Sequence, residues 1–144
     1  MPVYTGLLIR RAQQAHVALW QKLVSSEITG PQFGVLRALK ENPGWSQSDL
    51  CNELDLDRST IADLIARLVD KNLVDRVDHE SDKRRYSLTL SDLGSSEIFA
   101  LEPKVAVLDA ALTKRLSTFE HDELQRLLAL VVSQPELEST NHEL

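Results

Sequence analysis

A single cysteine, Cys51, cannot close an internal disulfide, so the 144-residue chain must rest on a packed core, and a reducing cytoplasm is the expected compartment. The first residues lack the charged start, apolar stretch and small-residue cleavage site of a secretory leader, and no run of about 18 apolar residues could span a bilayer. No membrane association is expected. With five glycines there is little material for a phosphate-cradling loop, and neither a Gly-x-Ser-x-Gly turn nor a close Cys, His and Asp grouping occurs. The chain is therefore not expected to be an enzyme. Four histidines, His16, His79, His121 and His142, are scattered without metal-ligand spacing, so no metal and no cofactor is expected.

What is present is apolar residues, 42% of the total, enough for the core of one domain spanning 1–144. The formal net charge of −6 opposes binding to a polyanion, yet its distribution matters more than its sum. Residues 1–56 and 57–86 are each neutral, whereas residues 117–144 carry six acids against one arginine. Acid concentrated at that end is screened within about 8 Å at physiological salt, provided it lies away from the anion.

Local patterns divide the chain into helices with one hairpin. A first helix covers residues 5–24; Thr29-Gly30-Pro31-Gln32 is a capping box opening a second, with Phe33, Leu36 and Leu39 inward, which Asn42-Pro43-Gly44 ends. Ser46-Gln47-Ser48-Asp49 caps a short third helix to about Leu54. Residues 57–71 begin with Asp57 as cap and carry Ile61, Leu64, Ile65, Leu68 and Val69 at the spacing of a helix buried along one stripe. Its other stripe, Arg58, Ser59, Ala62, Asp63 and Ala66, is short or hydrogen-bonding. A backbone can approach such a face closely, and Arg58 is placed to reach a guanine edge bidentately in a major groove. Thr60 begins the contact set with Arg58 and Ser59, or serves as an internal cap; Arg67 touches phosphate or pairs with an acid.

Leu73 to Asp78 can pair with Tyr86 to Leu90, where alternation gives one core face and one wet face. Between them runs His79-Glu80-Ser81-Asp82-Lys83-Arg84-Arg85. Three consecutive cations at a hairpin tip repel one another, and a polyanionic partner is the simplest reason for them. Arg84 is the leading candidate for the minor groove or its phosphates, with Lys83 and Arg85 as backbone contacts. The acids Asp78, Glu80 and Asp82 read as braces of this tip, Asp82 holding Arg76 or Arg85.

Leu56-Asp57-Arg58-Ser59-Thr60, Leu73-Val74-Asp75-Arg76, Asp82-Lys83-Arg84 and Leu90-Ser91-Asp92-Leu93-Gly94, in that order and spacing, resemble the winged helix-turn-helix of the MarR (multiple antibiotic resistance regulator) family over residues 29–94. The resemblance implies a mainly α fold with a small β-hairpin wing (α+β). It also implies a dimeric transcriptional regulator, often a repressor released by small aromatic ligands.

After the wing, Ser91-Asp92 starts a long helix with Ile98, Leu101, Val105, Leu108, Leu112 and Leu116 close to a heptad seam, which Pro103 should bend or break. Ser117-Thr118-Phe119-Glu120 opens a last helix, with Leu124, Leu127, Leu128 and Val131 as its stripe, and residues 134–144 read as a flexible tail. Residues 1–28 and 95–133 offer more apolar surface than one small domain can cover. They are expected to form a homodimer that places two reading heads on a pseudo-palindromic operator in double-stranded DNA.

On the first helix Leu8, Ala12, Ala15, Leu19 and Leu23 form one stripe, with Ile9, Gln13, His16 and Trp20 beside it and Arg10 on that border. A cation, an imidazole and an indole around one apolar space suit a planar aromatic carboxylate, with Arg10 as forked partner, His16 as hydrogen-bonding partner or charge switch and Trp20 as wall. Leu8-Ile9-Arg10-Arg11-Ala12-Gln13-Gln14-Ala15-His16, with Trp20 and Ile28-Thr29-Gly30-Pro31-Gln32-Phe33, is similar to the branch of the family that responds to aromatic acids. Two alternatives stand beside this reading. Cys51 raises a redox-sensing regulator, though between Leu50 and Leu54 it has no cationic neighbour in sequence and reads as a small buried apolar residue. The neutral local charge also admits a winged-helix adaptor that binds protein in place of DNA.

Overall fold

The computed structural model describes residues 2–79 and 82–133, with only the backbone of 79 and 82–85. Six helices and one hairpin follow in the order α1 (Thr5–Leu23), α2 (Gly30–Glu41), α3 (Gln47–Leu54), α4 (Arg58–Asp70), β1 (Val74–His79), β2 (Asp82–Leu90), α5 (Asp92–Leu112) and α6 (Thr118–Val132). The expected tail, 134–144, lies outside the described residues, as do the side chains of Asp82, Lys83, Arg84 and Arg85. Two compact units emerge, residues 1–108 and 109–144. No helix of the described residues is long and apolar enough to cross a membrane.

Each helix start follows from its cap. The Thr29 hydroxyl accepts from the Gln32 N–H at 3.2 Å while Gln32 Oε1 accepts from the Thr29 N–H, and Ser46 with Asp49 and Ser117 with Glu120 repeat the reciprocal pattern. Asp57 caps α4 through the Thr60 N–H at 2.7 Å. Side chains at the expected apolar positions then close the first unit's core, with Leu36, Leu39, Leu50, Ile61, Ile65, Leu68, Leu88 and Ile98 fully buried. These residues come from α2, α3, α4, β2 and the start of α5, so helices and hairpin share one core.

The antiparallel strands pair Val74 with Leu90, Arg76 with Leu88 and Asp78 with Tyr86, and Val74 and Leu88 are buried. From there the register jumps to His79 opposite Asp82, so β2 begins earlier than the expected Tyr86 and the three tip cations lie in a strand irregularity. Main-chain bonds fasten the hairpin to the segment between α2 and α3: Gly44 N–H donates to the Leu88 carbonyl at 2.8 Å, and Leu88 N–H to the Trp45 carbonyl at 3.0 Å.

Pro103 lies inside α5, which runs through it without a break. Proline removes the hydrogen bond to the carbonyl four residues earlier, that of Phe99, and Phe99 is 79% exposed, where water can take its place. On α1 the deepest side chain is Trp20, whereas Leu19 and Leu23 are half-buried and Leu8, Ala12 and Ala15 exposed. The indole Nε1–H donates to the Ile28 carbonyl at 2.6 Å, which draws that edge of the helix inward.

The start of α5 is fitted tightly to the base of the wing. Ser91 N–H donates to the Leu73 carbonyl at 3.0 Å, Ser91 Oγ donates to the Asn72 carbonyl at 2.6 Å, and Ser91 Oγ accepts from the Gly94 N–H at 2.9 Å. A Cβ at Gly94 would stand 2.1 Å from the Leu73 oxygen, a main-chain atom that cannot swing aside. Glycine to alanine in a helix ordinarily stabilises by about 1 kcal/mol. Here Gly94→Ala is expected to cost about 2–3 kcal/mol in urea unfolding at fixed protein concentration, and a neutral or stabilising result would contradict the close fit.

Candidate nucleic-acid interface and the inner face of α1

Helix α4 buries Ile61, Leu64, Ile65 and Leu68 and turns Arg58, Ser59, Thr60, Ala62, Asp63, Ala66 and Arg67 to the exterior. The amphipathic spacing alone produces this division. Within the exposed row the side chains differ in their engagements. Arg58 has no carboxylate partner among the described residues, while Arg67 Nε donates to Asp63 Oδ2 at 3.0 Å across one helical turn. The Ser59 hydroxyl donates to Asp57 Oδ1 at 2.9 Å, so it is turned toward the cap. The N–H of Thr60, followed by the hydroxyls of Thr60 and Ser59, holds the Asp57 carboxyl below the usual carboxylate range. The cap is thus Asp57, and Thr60 is the residue whose N–H it receives.

The wing stands beside this helix. Arg76 lies over the Tyr86 ring with its guanidinium carbon 4.5 Å from the centroid, while the side chain of Asp82, expected to hold Arg76 or Arg85, lies outside the described residues. Tyr86 in turn donates its hydroxyl to Gln47 Oε1 at 2.8 Å, and Gln47 Nε2 donates to the Arg58 carbonyl at 3.0 Å. Neither Gln47 nor this role of Tyr86 is foreseen from the sequence, because the bond joins residues 39 positions apart and no local pattern encodes it. Lys71, at the end of α4, is likewise unforeseen; its Nζ donates to the Glu27 carbonyl at 2.6 Å and lies 3.4 Å from Gln32 Oε1.

Cys51 has a cationic neighbour after all. The α3–α4 turn brings the Arg58 guanidinium near enough to favour the thiolate, yet burial is the larger effect and pushes the thiol above its ordinary value. A protonated thiol is a poor start for oxidation chemistry.

Of the four residues singled out on α1, the fold brings His16 and Trp20 together, with ring centroids 6.0 Å apart, and Trp20 meets Phe33 of α2 edge-on at 5.5 Å. Arg10 and Gln13 stand exposed on the same helix. His16 also borders the first turn of α2, since a Cβ on Gly30 would lie 3.7 Å from its Cε1. Its Nδ1 is buried and has no hydrogen-bond partner among the described residues. Such an atom is a rarity in a finished fold.

The sequence profile of the MarR family matches residues 26–85, which contain α2 to α4 and most of the hairpin. A putative transcriptional regulatory protein for the hcr operon of Thauera aromatica is 32% identical over 125 residues, covering 85% of this chain and 75% of the relative. The chain belongs to the MarR family. It is a transcriptional regulator, and its winged helix-turn-helix is the family's DNA-binding fold. PcaV of Streptomyces coelicolor, solved with its natural ligand, superimposes with a TM-score of 0.86 at 36% identity, over 92% of this chain and 97% of that one. BpsR of Bordetella bronchiseptica, whose DNA binding is regulated by 6-hydroxynicotinic acid, gives 0.83 at 27% identity, over 89% and 98%.

The cap of α4 offers a test in acid. Because the folded Asp57 carboxyl titrates below its unfolded value of about 3.9, its stabilisation is complete above that pH and is lost as pH falls through the lower folded value. Asp57→Asn keeps the acceptor and does not titrate. Below about pH 4 the thermal midpoint of the wild type should fall relative to that of Asp57→Asn, with a constant difference above about pH 5. A difference unchanged across the whole range would show that the carboxyl is not linked to folding.

Proposed function

We propose that this regulator is a homodimeric repressor, released from a pseudo-palindromic operator by a small aromatic carboxylic acid. Helix α4 enters the major groove with Arg58 at a base edge and Ser59, Thr60, Ala62 and Asp63 along the contact face. Arg67 exchanges its Asp63 partner for phosphate. Lys83, Arg84 and Arg85 of the wing lie along the adjoining backbone or minor groove, Arg84 foremost. Residues 1–28 and 95–133 hold the two copies together, and residues 29–94 read the half-sites, which lie one helical turn apart, about 34–36 Å. Support for a second copy comes from α6, which buries no side chain and leaves Phe119 73% and Leu130 59% exposed.

The observation that carries the effector reading is the orphaned Nδ1 of His16. A buried ring nitrogen without a partner is costly, and a ligand carboxylate or hydroxyl reaching it removes that cost. In this reading Arg10 forks onto the acid, Gln13 and His16 supply hydrogen bonds, and Trp20 is the wall, its indole already fixed by the Ile28 carbonyl. The likeness to PcaV and to BpsR, which answers to a hydroxylated heteroaromatic acid, supports this ligand class. The ligand shifts the population toward a spacing of the two α4 helices that no longer fits the operator, and about 1.4 kcal/mol of differential binding gives a tenfold change.

Arg10→Ala should retain operator binding in a gel-shift titration while losing the response to 4-hydroxybenzoate and 6-hydroxynicotinate; a full response from that variant would remove Arg10 from the site. For the wing, Arg84→Ala should lower the slope of log affinity against log salt by about 1, the loss of one phosphate contact. Binding by the wild type that is insensitive to salt would instead favour a protein partner.

A further inference from the structure

We infer that Gln47 is a positioning residue that fixes the wing relative to the recognition helix, so that both meet one DNA surface in register. Gln47 is the first residue of α3, and the Ser46–Asp49 capping box holds its main chain in place. Its amide is used at both ends and toward two different elements: Nε2 donates to the carbonyl of Arg58, which opens α4, and Oε1 accepts from the Tyr86 hydroxyl on β2. Serving both demands takes a donor and an acceptor on one side chain. A carboxylate has no donor for the Arg58 carbonyl, and an ammonium has no acceptor for the phenol.

The placement of this bridge matters as much as its chemistry. The hairpin is hinged on the helices by the main-chain pairing of Leu88 with Gly44 and Trp45. A hinge at one level of a two-stranded ribbon allows the tip to rock. Tyr86 lies two residues farther toward the tip, at the level of Asp78 and directly beneath the register jump that contains Lys83, Arg84 and Arg85. Among the described residues it makes the tipmost hydrogen bond between hairpin and helices. Arg76, stacked on its ring, restrains the phenol from the opposite strand. The reader's two contact elements are thereby tied at a second point through one side chain.

The test is a double-mutant cycle with full-length Gln47→Met, Tyr86→Phe and the combined variant, titrated against two duplexes: the footprinted fragment flanking the protein's own gene and a scrambled duplex of equal length. Methionine keeps the volume of glutamine without adding charge. Each single variant should weaken binding to the footprinted duplex about fivefold, the worth of one hydrogen bond. The combined variant should be no weaker than the weaker single variant within twofold, and scrambled-duplex affinity should stay within twofold throughout. Circular-dichroism spectra unchanged from wild type and cooperative melting well above the binding temperature would show that the variants are folded, so that a loss confined to the footprinted duplex reads positioning and not unfolding. Additive losses, equal losses on both duplexes, or no loss in either single variant would overturn the assignment. Tyr86→Phe alone suffices if Gln47→Met does not fold, because a phenol that braces the wing must still discriminate between the duplexes.

Discussion

The carbonyl oxygen of Leu73 is the point on which recognition helix, wing and α5 all depend. Helix α4 ends with Asn72 in the left-handed conformation, φ 61°, and the Leu73 N–H returning to the Leu68 carbonyl at 2.9 Å. Asparagine tolerates that conformation better than most residues with a side chain. The next residue, Leu73, leads into β1, and its carbonyl receives the Ser91 N–H at the start of α5. Only a residue without a Cβ fits at position 94 against that oxygen. Three elements therefore leave one small volume in fixed directions.

This rigidity answers the problem set by charge. A chain with a net charge of −6 and a neutral reading segment has little general attraction for a polyanion, so affinity must come from placement. The ion pair of Arg67 with Asp63 and the turn of the Ser59 hydroxyl toward Asp57 point the same way. On the exposed row of α4, Arg58 has no carboxylate partner among the described residues, and its helix start is braced from α3.

Features confined to a few consecutive residues were legible without coordinates. The caps at Thr29, Ser46, Asp57 and Ser117 are four-residue patterns, and the faces of α2 and α4 follow from period alone. What escaped depends on distant neighbours. Pro103 announces a lost hydrogen bond but not whether solvent replaces it, and the inward edge of α1 was decided by an indole meeting a carbonyl eight residues away. Along α4 the exposed row of residues could be read, whereas the turn of the Ser59 hydroxyl toward Asp57 could not, because helix geometry permits a hydroxyl to face either way. The Gln47 bridge required the whole hairpin to be folded back before its two ends could meet.

The two tryptophans have a practical consequence. Trp20 lies against an imidazole beneath α1, and Trp45 lies half-buried at the hinge of the hairpin. One fluorophore thus borders each part of the molecule whose state an experimenter would wish to follow. Replacing either with phenylalanine leaves a single indole, which can be excited apart from the two tyrosines, and the unlabelled protein becomes its own optical gauge, of the helix floor in one variant and of the hinge in the other.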